Sequence, residues 1–199
     1  MPMNRYAACA LLACLLFACE LDAGVILQDQ STGTHQIQAY SPTGQTITAD
    51  DSYLKSIGFY FREMNDRLPN GPVSVILRQG AGVDGNEIAR QSLDIAPGTW
   101  GYVDFLFPAV ELVIGESYTA IVEATNERWG LQRNFHLYGD IGNPPIPGRV
   151  DYSGGHMLLL GELMVVGDLK FRIVTVPEPT ALLLATLLAL CSLSREKRV

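Results

Sequence analysis

Between Val25 and Val176 the 199-residue chain has no cysteine. All four cysteines, Cys9, Cys14, Cys19 and Cys191, lie in the two hydrophobic end segments. The middle of the chain therefore has no disulfide framework, no thiolate zinc site and no cysteine nucleophile. It must stand on its core, which is feasible because a domain of about 150 residues buries roughly 70% of its unfolded surface.

Histidine is scarce as well. His35, His136 and His156 are far apart and fit neither H-x-x-x-H nor H-E-x-x-H, which disfavours a zinc enzyme. Each reads as a surface or turn residue. No G-x-S-x-G occurs; Ser153, in Asp151-Tyr152-Ser153-Gly154-Gly155-His156, lacks the first glycine. Lys and Arg number 14 against 21 Asp and Glu, for a net charge of −7. Four bases and four acids lie outside residues 24–176 and cancel, so that domain keeps the full −7. With no basic stripe, nucleic acid is a poor partner, because phosphate contacts need clustered Lys and Arg. An acidic surface suits solubility, or divalent cations outside the cell.

The two ends carry the strongest signals. The chain closes with Val176-Pro177-Glu178-Pro179-Thr180, an apolar run from Ala181 to Leu193, and Ser194-Arg195-Glu196-Lys197-Arg198-Val199. Thr180 to Leu193 has 14 residues and no charge. As a helix that is about 21 Å, short of a ~30 Å hydrocarbon core but able to engage a bilayer transiently. Arg195, Lys197 and Arg198 are then held on the cytoplasmic side. Pro177 and Pro179 cannot extend the helix upstream, so the triplet is expected to be extended and exposed, as a protease requires. A hydrophobic C-terminal core helix is the competing reading.

This three-part end resembles the PEP-CTERM tail of bacterial proteins handled by exosortase, a membrane-embedded sorting protease. The resemblance implies exosortase as a partner and a cut near Pro177-Glu178-Pro179. It also implies a transient membrane anchor, and delivery to the surface or extracellular matrix of a Gram-negative-type bacterium. Glu196 within the basic cluster and the short apolar run depart from the pattern. The start of the chain agrees. Arg5, the apolar stretch Tyr6 to Ala18 and the small residues beyond outline a signal peptide over 1–23, with Ala23 the preferred cut. Leu16-Phe17-Ala18-Cys19 also resembles a lipobox, in which Cys19 would be lipidated. An N-terminal anchor that is never cut is the third reading.

Residues 24–176 read as one β-domain. Expected strands are Val25–Gln30, Gln36–Tyr40, Gln45–Ala49, Leu54–Arg62, Val73–Gln79, Glu87–Leu93, Trp100–Phe107, Ser117–Ala124, Leu131–Tyr138 and Leu169–Val174. Val73, Val75 and Leu77 share a face, as do Tyr118, Ala120 and Val122. Leu169, Phe171 and Ile173 point inward, with Lys170 and Arg172 outward. Gly- and Pro-rich turns every 8–15 residues predict an all-β fold, an antiparallel β-sandwich, flanked by an N-terminal signal helix and a C-terminal hydrophobic sorting helix. The segments Ile57–Phe61, Val73–Gly80, Trp100–Phe105 and Val110–Tyr118 resemble the jelly-roll modules of bacterial secreted proteins, akin to carbohydrate-binding and adhesin-type sandwiches. That resemblance implies fold more than function.

Few residues suggest chemistry. Asp104, Glu111, Glu123 and Asp151 could flank a glycosidic bond, or be solvated surface charge. Asp84, Asn86 and Glu87 offer oxygen ligands for Ca²⁺ in a Gly-rich segment that also reads as a metal-free hairpin turn. Trp129, Tyr138 and Tyr152 lie in or beside the irregular stretch 126–155, near Arg128, Arg133, Asn134 and Asp140. They form either a platform on which sugar rings stack or core aromatics. Trp100 reads as core, because it opens an alternating strand. The expected function is an exported, non-enzymatic surface or matrix protein, with polysaccharide as the candidate ligand and no cofactor. A glycan-active enzyme with paired carboxylates and a purely structural matrix protein are the alternatives.

Overall fold

The computed structural model describes residues 23–134, 152–164 and 167–176. The expected end helices lie outside them, and among the described residues no helix is long and apolar enough to cross a membrane. The strands are β1 (Gly24–Gln28), β2 (Gly33–Gln36), β3 (Thr43–Thr48), β4 (Tyr53–Glu63), β5 (Pro72–Gln79), β6 (Glu87–Asp94), β7 (Trp100–Glu111), β8 (Ser117–Ala124), β9 (Trp129–Asn134), β10 (Met157–Leu159), β11 (Glu162–Met164), β12 (Asp168–Leu169) and β13 (Phe171–Val176).

They form two antiparallel sheets that pack face to face. In the first, β4 pairs with β7 along one edge, and with β13 and then β9 along the other. β1 lies outside β13, while β2 and β12 both pair with β9. The second sheet runs β11-β10-β3-β8-β5-β6. Alternation in the sequence sets the inner faces. Ile57, Phe59 and Phe61 of β4, Phe105 and Phe107 of β7, and Leu169, Phe171 and Ile173 are buried in one core with Val73, Val75, Leu77, Tyr118, Ala120 and Val122 from the other sheet. Each such Val, Leu, Ile or Phe side chain contributes about 1.5–3 kcal/mol by leaving water.

Several elements differ from expectation. The expected strand over Gln36–Tyr40 ends at Gln36, and a 3₁₀ turn, Gln38–Tyr40, follows. The turn is set by Ile37, which is fully buried. There the chain leaves the first sheet, where β2 lies on β9, and enters the second, where β3 lies on β8. The expected strand over Leu131–Tyr138 begins two residues earlier, at Trp129; its end lies outside the described residues. The expected strand from Leu169 is divided at Lys170, because β12 pairs with β9 whereas β13 pairs with β4. Lys170 bridges the seam: its N–H donates to the Gln132 carbonyl at 2.8 Å, and its carbonyl accepts from the Tyr60 N–H at 3.0 Å. The hairpin β10–β11 was not expected. Its turn, Leu160-Gly161, has φ of 52° and 81°, the paired positive values that a two-residue hairpin requires.

An aromatic and cationic sheet face as candidate site

The outer face of the first sheet is built by the residues out of phase with the core. On β7, Phe105 and Phe107 point inward, so Trp100, Tyr102, Asp104 and Leu106 point outward. The antiparallel register sets Trp100 beside Arg62, Tyr102 beside Tyr60 and Asp104 beside Gly58. On the far edge of β4, Gly58 pairs with Arg172, and Leu27 of β1 pairs with Arg172 in turn.

These side chains form one network. The Arg62 guanidinium lies 4.8 Å from the centre of the Trp100 ring. Tyr60 and Tyr102 meet edge to face at 5.2 Å. The Lys170 ammonium sits 4.3 Å from the centre of Tyr60, and the Arg172 guanidinium 4.7 Å from that of Tyr102. Asp29, just past β1, accepts from Lys170 at 2.9 Å and from the Tyr102 hydroxyl at 3.0 Å. Arg172 grips Asp104 with two N–H groups. The Lys170 and then the Tyr102 hydrogen bonds hold the Asp29 carboxyl below the ordinary carboxylate range. Partial burial, followed by the bond to Asp29, pushes the Tyr102 phenol up. Asp104 raises Arg172 further above its ordinary value. Trp100 and Leu106 each remain 64% exposed.

The expected platform fares differently. Trp129 is buried in the core, not presented to a ligand, because β9 turns its side chain between the sheets, with the Arg128 guanidinium 5.7 Å from the ring. Tyr152 is half-buried; its ring packs edge-on against Phe171, and its hydroxyl accepts from the Thr48 N–H. Tyr138 and Asp140 lie outside the described residues. Arg128 is buried and ion-paired with Glu63. Trp100, expected in the core, is the exposed tryptophan. The sequence signal was present: Trp100 is in phase with Asp104, not with Phe105.

The remaining candidates are dispersed. Glu87 is paired with Arg90 at 3.0 Å, and exposed Asp84 and Asn86 stand apart from that pair. Among the described residues no three His, Cys, Asp or Glu gather as metal ligands. Asp104 lies on the outer face of the first sheet. Glu123 lies on the outer face of the second, beside Arg90 at 3.2 Å, so these two carboxylates do not converge. Glu111 ends β7 and lines an open hollow of about 440 Å³ with Ile88, Val110 and Tyr118. Asp151 and His136 lie outside the described residues. His156 is exposed, whereas His35, expected at the surface, is buried. Its Nε2 lies 2.9 Å from Thr43 Oγ1.

No family model and no curated protein matches the chain. Among solved structures it is similar to the clostridial cysteine protease Cwp84 after propeptide cleavage, at 12% identity and a TM-score of 0.47, over 79% of this chain and 41% of that one. It is also similar to the cysteine protease and lectin-like domains of Cwp84, a surface layer associated protein of Clostridium difficile. That match has 11% identity and a TM-score of 0.44, over 76% of this chain and 37% of the other. The chain thus spans about two fifths of the length of each.

Proposed function

We propose that this is an exported, non-enzymatic surface or matrix protein with a jelly-roll domain, sorted by exosortase through its Pro177-Glu178-Pro179 tail. It holds polysaccharide on the outer face of the first sheet. The strand orders β2-β9-β4-β7 and β3-β8-β5-β6 support the jelly-roll reading. The observation that carries the ligand reading is Trp100, a large aromatic 64% exposed on the outer sheet face beside Arg62, with Tyr102 and Arg172 on the same face. Exposed aromatics beside convergent polar groups are what sugar rings and their hydroxyls engage.

The placement of the chain ends supports surface display. Gly24 pairs with Thr175, so segments 1–23 and 177–199 join the sandwich at one end. Val176 pairs with Tyr53, and Arg62 lies nine steps along β4 from Tyr53. At ~3.3 Å per residue, Trp100 and Arg62 stand about 30 Å from the anchored end.

Two measurements test this reading. Cell fractionation of a variant lacking residues 177–199 should show it released from the envelope compartment that the full chain reaches; identical localisation would sink the sorting claim. The full chain, incubated with a panel of insoluble polysaccharides, should be retained on at least one. Retention on none would leave only a structural role.

A further inference from the structure

We infer that the polysaccharide recognised by this face is acidic, a polymer bearing carboxylates such as a polyuronate; this rests on the polysaccharide reading above. Trp100 keeps 64% of its surface open for a sugar ring to stack on, and the cations beside it add a charge preference. Here each of the three outward aromatic rings has a cation over it: Arg62 over Trp100, Lys170 over Tyr60 and Arg172 over Tyr102. The face therefore presents the guanidinium groups of Arg62 and Arg172, held beside their rings, whereas the Lys170 side chain is only 15% exposed.

The three cations are not equivalent. Lys170 and Arg172 already meet Asp29 and Asp104. Arg62 is exposed, and among the described residues no carboxylate pairs with it. Among the described residues its N–H donors meet no protein oxygen, so they can grip a carboxylate through two parallel hydrogen bonds. A planar fork is the group suited to that task, more so than an ammonium. The positions also fit a chain ligand. Arg172 and Lys170 lie two residues apart along one line, and Arg62 lies two residues beyond Tyr60, the residue bonded to Lys170. Successive cations are thus offset by about 6.8 Å along the strands.

The test is affinity measurement on the full chain, using polygalacturonate, alginate and hyaluronate, each beside the same polymer after chemical reduction of its carboxylates to alcohols. Binding to at least one acidic polymer should fall roughly tenfold or more on carboxyl reduction, and comparably in Arg62→Ala, the size expected for a charged hydrogen-bonded contact. Arg62→Lys should recover part of the loss. Because Arg62 is exposed, these variants should melt like the wild type, which separates a lost contact from a lost fold. Equal binding of acidic and reduced polymers would overturn this inference and leave the polysaccharide reading standing. Binding of neither form, with retention on none of the insoluble panel, would overturn both.

Discussion

The carboxylate of Asp104 and the guanidinium of Arg172 meet across a strand that places no side chain between them. Both residues pair with Gly58, Asp104 from β7 and Arg172 from β13. A Cβ on Gly58 would come within 2.2 Å of Asp104 Oδ1 and 3.0 Å of Arg172 Cγ. A central strand thus gives up side-chain packing so that its two neighbours can pair over it. The ion pair belongs to the same outer-face network as Tyr102 and Lys170.

Gly58→Val should therefore destabilise the protein by about 1–3 kcal/mol, the range for inserting atoms into a filled site. Asp104→Asn should cost about 1 kcal/mol or less, because the pair is over a third exposed on the Arg172 side and screened by solvent. Urea midpoints compare the two. A Gly58→Val protein as stable as the wild type would mean that the pair is not seated over the glycine.

His35 should make stability depend on acid. Burial, and then the nearby Arg133 charge, push its imidazole down to about 3. In the unfolded chain it takes up a proton near pH 6.5. Between those values the unfolded state binds more protons, so this contribution is complete above pH 6.5 and is lost as the pH falls toward 3. The expected slope is about 1.4 kcal/mol per pH unit. His35→Gln should flatten the fall by that amount in urea titrations at pH 7, 6, 5 and 4. Parallel curves for the two proteins would contradict the buried, neutral histidine.

The two tryptophans should behave oppositely. Trp129→Ala should cost about 3–5 kcal/mol, since it empties a fully buried site. Trp100→Ala should stay within about 0.5 kcal/mol, as an exposed substitution does. Chemical denaturation separates them. Acrylamide should quench only the Trp100 fluorescence in the folded protein.

Tyr152→Phe should cost about 1 kcal/mol, through loss of the acceptor for the Thr48 N–H. The ring contact with Phe171 is kept, so thermal melting should shift without loss of cooperativity.

The β-domain was largely legible because its long strands alternate without interruption. Val73-Ser74-Val75 and Lys170-Phe171-Arg172 declare their faces by a period of two, and the sandwich follows. Where the signal was short or continuous it failed. Met157-Leu158-Leu159 is three residues of unbroken apolar character, and its turn uses leucine at positive φ, a residue that announces no turn. Of the two readings of Trp129, core and platform, the core reading holds. Trp129 has a loop-like sequence neighbourhood, yet the pairing of β9 with β2 and β4 draws it inward. The aromatic face is assembled from β1 with Asp29, β4, β7, and Lys170 with β13, four separate stretches whose adjacency is a matter of register rather than of sequence. The alternation around Phe171 does place Lys170 and Arg172 outward in sequence, whereas Trp100, although in phase with Asp104, reads as core.

The most direct test of the account is affinity electrophoresis of the full chain through native gels containing polysaccharide. The wild type should be retarded in at least one polymer, while Trp100→Ala should migrate there as it does in a polysaccharide-free gel. Equal retardation of Trp100→Ala and wild type, or no retardation of the wild type in any polymer, would contradict the assignment of this sheet face.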